Sequence, residues 1–152
     1  MVMITIILAA IVLATLLQLP NFFDPTVPAI FNITTIRHTN DYGTMTCDSR
    51  MVIKNTGRVS FPNRNLFAKV YRNGVLLHVT IATMNGHDYI AYAHTSGVQT
   101  MGGKGCSEDT WAPDETTVID FNDHTFRPGD TVQLEVFDNT TKQIISRHTY
   151  KA

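Results

Sequence analysis

The chain opens with MVMITIILAAIVLATLLQL, an apolar run broken only by Thr5, Thr15 and Gln18 and free of any charge. Nothing in it alternates, so the pattern is that of a helix that is apolar on every face. Such a helix must be surrounded by lipid or by other apolar helices. At 1.5 Å per residue, 1–19 would reach about 28 Å, close to the roughly 30 Å hydrocarbon layer of a bilayer. Pro20 and Pro25 end it, because proline lacks the amide donor and clashes with the preceding turn. With Pro28 they make 20–28 a stiff, extended connector.

Beyond the connector, continuous apolarity gives way to short β-type runs separated by turn residues, at 29–38, 51–54, 66–72, 75–83, 88–94, 116–121, 131–138 and 143–150. The run at 131–138 alternates over most of its length, with Val132, Leu134 and Val136 on one face and Gln133 and Glu135 on the other. Asn73-Gly74 favours the positive φ of a type I′ hairpin between 66–72 and the next run. Seven or eight such strands predict an all-β immunoglobulin-like sandwich over 29–152, with the helix at 1–19 outside it. The glycine-rich stretch 94–112 reads as a long exposed loop.

The helix flanks separate three readings. A signal peptide needs a basic start and a small-residue cleavage site, yet the first charge is Asp24, the first cation is Arg37, and no A-x-A occurs near Leu19. An ordinary membrane anchor should carry Lys or Arg on its cytoplasmic side, and none precedes the helix. A subunit whose basic leader has been removed, and whose helix moves from the bilayer into a filament core, accounts for both absences. In that reading Met3, Ile4, Ile7, Leu8, Ile11, Val12 and Leu16 are the polymerisation contacts, at spacings that recur along a helix surface.

The stretch from Met1 to Val12, with Thr5 and the paired Ala9-Ala10, resembles the N-terminal motif of archaeal type IV pilins. The likeness covers about a dozen residues, and the further apolar stretch and charged leader of family members do not precede it here. It implies a structural subunit of an extracellular, surface-adhesive filament. It also implies cleavage by a prepilin peptidase, handling by a pilus assembly machinery, insertion in the membrane before assembly and a homopolymer of identical copies. The alternative is a membrane-anchored extracellular immunoglobulin-like binding module.

Charge changes this picture little. Lys and Arg number 12 against 13 Asp and Glu, a net charge of −1 with neither sign in blocks, which gives no basis for a nucleic-acid partner. The two cysteines, Cys47 and Cys106, lack metal or redox spacing and suit one structural disulfide pinning the glycine-rich loop. In a chain-entropy account that bridge stabilises by about 4 kcal/mol. Two reduced, buried thiols acting as small hydrophobes are the other reading. Trp111 is expected to pack in the core beside the bridge. Two sequons, at Asn32 and Asn139, are candidate glycosylation sites, with Asn139 in the turn of a hairpin the better placed. His87 with Asp88, His94, and Asp123 with His124 match no metal-ligand spacing. No G-x-S-x-G elbow, P-loop or dinucleotide glycine pattern accompanies the Ser, His and Asp residues, so no catalytic residue, cofactor or metal is expected.

Overall fold

The computed structural model describes residues 2–18, 26–79, 81–89 and 97–152, and the side chains of the N-terminal helix from 5 to 13. That helix, α1, covers Val2–Gln18. Among the described residues ten strands follow: β1 Phe31–Thr39, β2 Met45–Asn55, β3 Phe61–Pro62, β4 Leu66–Arg72, β5 Val75–Leu76, β6 Val98–Gly102, β7 Thr110–Trp111, β8 Thr116–Phe121, β9 Thr131–Asp138 and β10 Ile144–Lys151. Two one-turn helices, α2 Gly86–Tyr89 and α3 Lys104–Ser107, lie among them.

The strands form two antiparallel four-stranded sheets, ordered β1-β2-β8-β6 and β10-β9-β4-β5, with a small β3-β7 pair at one end. Between the sheets lie Phe31, Met51, Ile53, Leu66, Val70, Ile119, Phe121, Leu134 and Val136, all essentially solvent-free. Period-2 alternation supplies most of these positions. In β1 the register shifts between Ile33 and Thr35, and that irregularity is what allows Ile33 and Ile36, three apart, both to face the core. Trp111 is fully buried, its ring 4.4 Å from that of Phe31, and its indole N–H donates to the Glu115 carbonyl at 2.8 Å.

One flank of the sandwich is closed by side chains in place of a continuous backbone ladder. Along β1 and the residue before it, the N–H groups of Ile30 and Phe31 donate to Ser146 Oγ at 3.0 and 2.9 Å, and that of Ile33 donates to His148 Nδ1 at 3.0 Å. A single backbone bond, Arg147 N–H to the Pro28 carbonyl, joins β10 to the segment where the chain enters. His148 therefore holds its proton on Nε2, and burial pushes its pKa below the usual imidazole value.

The pattern at 66–72, 116–121 and 131–138 matches β4, β8 and β9. Elsewhere the structure corrects it. The run at 75–83 holds strand only at Val75–Leu76 and an isolated bridge from Ile81 to Ala68. Where a strand was expected at 88–94, α2 ends at Tyr89 and 90–94 lies outside the described residues. The supposed loop at 94–112 contains β6, α3 and β7. The expected N-terminal helix is present as α1, and only its reach is corrected. Among the described residues no helix is long and apolar enough to cross a membrane. The 17 residues of α1 reach about 25 Å, short of the roughly 30 Å that a span needs.

Candidate functional site

A sandwich normally covers any apolar helix of its own chain. Here Ile6, Ile7, Leu8, Ile11, Val12 and Leu13 are each more than half exposed. These neighbouring large aliphatic side chains form an exposed apolar surface well beyond the scattered exposure normal for a soluble domain. Of the expected polymerisation contacts, Ile7, Leu8, Ile11 and Val12 are among these exposed residues. Met3, Ile4 and Leu16 lie on α1, but their side chains are outside the described residues. A shallow hollow of about 370 Å³ runs along one face, between Thr5, Leu8, Ala9, Val12 and Leu13. The small Ala9 deepens it between the larger leucines, and a hollow of this shape accepts an apolar side chain from a facing helix.

At the end of the sandwich near Pro28, the glycine-rich stretch is held in a way the sequence reading did not foresee. Buried Asn63 donates from Nδ2 to the carbonyls of Gly105, at 2.9 Å, and Glu108, at 2.6 Å, while its Oδ1 accepts from Asn85 Nδ2 at 2.9 Å. Asn85 in turn caps α2 by accepting from the His87 and Asp88 amides. Gly105 lies against Trp111 so closely that a Cβ there would overlap the indole nitrogen. A third asparagine, Asn55, donates to the carbonyls of Val59 and Trp111. In sequence, Asn63 and Asn85 look like ordinary turn residues, and only the long-range pairing reveals their role.

The expected disulfide is not formed: Cys47 and Cys106 are both free thiols. The geometry explains why. Cys106 sits in α3, where Gly103 just before the helix and Gly105 within it abut Thr116 and Thr117 at the start of β8. Cys47 lies on β2 two residues before Ser49, which pairs with Phe121 at the far end of β8. Four residues of strand alone separate them by about 13 Å at 3.3 Å per residue, whereas bridged cysteines need Cα atoms within about 7 Å. The Cys106 thiol instead donates to the Gly103 carbonyl at 3.3 Å, and burial raises its pKa despite nearby backbone hydrogen bonds.

The two sequons differ in setting. Asn139 is exposed in the β9–β10 turn, where its Oδ1 accepts from Lys142 Nζ. Asn32 is half-buried within β1, with its Oδ1 enclosed. The histidines do not converge. His87 Nε2 lies 3.1 Å from the Ser107 carbonyl, His124 occupies a turn at positive φ, and His94 is outside the described residues. Asp88 pairs with Arg64. Among the described residues no group of three His, Cys, Asp or Glu side chains is placed to hold a metal.

No protein-family profile matches this chain, and no curated protein matches it. Among solved structures, it is similar to the archaellum periplasmic stator protein complex FlaF and FlaG from Sulfolobus acidocaldarius, with a TM-score of 0.48 and 10% identity over 88% of this chain and 96% of that one. It is also similar to the archaellum periplasmic stator protein FlaG from the same organism, with a TM-score of 0.46 and 11% identity over 80% of this chain and 97% of that one.

Proposed function

We propose that the chain is a structural, non-catalytic subunit of an extracellular type IV pilus-like filament, in which α1 packs among the helices of identical copies and an immunoglobulin-like sandwich is displayed outside. The observation that carries this reading is the exposed stretch of α1: Ile6, Ile7, Leu8 and Leu13 are each more than half accessible. A helix with no polar face is suited to the middle of a bundle, where neighbours approach from every side. A contact of this kind joins unlike faces of successive copies and need not close, which is the geometry of a polymer. Processing by a prepilin peptidase and export by a pilus assembly machinery belong to the same reading. The likeness to the stator proteins, at TM-scores below 0.5, carries no weight for it.

A second reading keeps the sandwich as an extracellular binding module held at the cell surface through α1. Shearing intact cells separates the two. A filament subunit is recovered in the sheared fraction as sedimentable fibres, and recovery only with the cell envelope would favour the binding module.

A further inference from the structure

We propose that the end of the sandwich remote from Pro28 carries a binding site for an acidic saccharide, a hexuronate unit whose carboxylate meets Arg127 and Arg72 and whose hydroxyls meet Asp130. The chain enters the domain at Pro28, and β1, β8 and β4 run away from that point, so Arg72 and the 122–130 turn lie at the opposite end. There Arg72, Asn73, Arg127 and Asp130 line an open hollow of about 320 Å³.

The floor of the hollow is built by two turns locked together. Asn73, at φ 51 in the β4–β5 hairpin, donates from its amide to the Thr131 carbonyl at 2.8 Å and accepts at Oδ1 from the Thr131 amide at 2.9 Å. Its Nδ2 donates to Asp130 Oδ1 at 3.0 Å, and the Arg127 amide donates to Asp130 Oδ2 at 2.9 Å. Arg72 is held in place by one bond from Nη1 to the Thr125 carbonyl at 2.8 Å. Among the described residues the Arg127 guanidinium makes no hydrogen bond, and neither arginine forms a salt bridge. Two arginines thus line the same hollow as a fixed carboxylate, and guanidinium is the side chain best matched to a planar carboxylate.

Asp130 decides what kind of anion fits. Each of its oxygens accepts one bond from the fold and has a lone pair to spare. An acidic peptide also carries amide donors, but on a flexible chain whose further carboxylates would bring negative charge against Asp130. A uronate brings the carboxylate to the arginines and adjacent hydroxyl donors to Asp130 in one rigid ring. The site does not depend on whether α1 polymerises.

Isothermal titration calorimetry of the detergent-solubilised full chain with trigalacturonate tests this, with maltotriose, triglutamate and inorganic phosphate as comparisons. Trigalacturonate should bind and the other three should not. Arg127→Gln, which removes a guanidinium that makes no hydrogen bond among the described residues, should weaken binding roughly tenfold or more. Asp130→Asn should also weaken it, whereas a simple anion site would tighten when that negative charge is removed. No heat with trigalacturonate at millimolar concentration, equal binding of phosphate or triglutamate, or an Arg127→Gln variant with unchanged affinity would overturn the assignment.

Discussion

At the scale of single residues, buried amides and one imidazole do what the expected disulfide was to have done. Asn63 is fully buried and satisfies two carbonyls and one amide. Asn63→Ala would remove the Asn63 donor from Gly105 O and leave Glu108 O and Asn85 Nδ2 with only the 3.3 Å bond between them. Each buried group left unpaired costs about 1 to 3 kcal/mol, so urea denaturation should show a loss of at least about 2 kcal/mol. A loss within error of zero would mean that water replaces the side chain. The seam makes a second residue-level prediction. His148 has a folded pKa below its ordinary 6.5 because burial disfavours the charged ring, so the unfolded chain binds the proton first as pH falls. Its contribution to stability is complete above about pH 6.5 and is lost as pH drops from there through the lowered folded value. Protonation also removes the acceptor that Ile33 N–H uses. The melting temperature should therefore decline between pH 7 and pH 5 more steeply than in His148→Gln, which keeps an acceptor without titrating. Parallel curves for the two proteins would count against this role.

Among the elements, α1 and the strands were legible in the sequence to different degrees, for physical reasons. Unbroken apolarity marks a helix of about the observed length, the Asn73-Gly74 turn marks the end of β4, and alternation over most of its length marks β9. In β2 the inward positions include Ser49 and Asn55 beside Met51 and Ile53, so only its apolar middle registers as a strand. In β6, Val98 is the one fully buried side chain and glycine ends the strand, which disguises it as loop. The hollow at Arg72 and Arg127 was not legible at all, since its residues come from turns 55 positions apart in the chain that only the β4–β9 pairing brings together. What the sequence could not supply for α1 was its exposure, and that feature makes it testable. A charge at its middle, Ala10→Asp, would be enclosed by apolar side chains of neighbouring copies at a cost of about 2.5 to 3.5 kcal/mol per subunit, judged from insertion of charges at helix centres. Filaments should disappear from micrographs of the variant while its far-ultraviolet circular dichroism keeps the β signature. Fibres of normal yield would show that the middle of α1 is not enclosed.

For the whole molecule, stability rests on the two packed sheets and their asparagine and serine ties, with no covalent staple. Reductant should therefore leave the melting temperature unchanged, and a drop of several degrees on reduction would reinstate a bridge between Cys47 and Cys106. In the native chain the half-buried Cys47 should alkylate well before Cys106, which is buried with its thiol bonded to Gly103 O. The domain that these ties hold together leaves α1 outside its own core, and the account of function turns on what covers that helix. Electron microscopy of the full chain after slow removal of detergent is the most direct test. Self-assembly predicts long fibres of uniform diameter with helical density at their centre and sandwiches outside. Particles that remain monomeric or aggregate without order, under conditions where the sandwich stays folded, would contradict it.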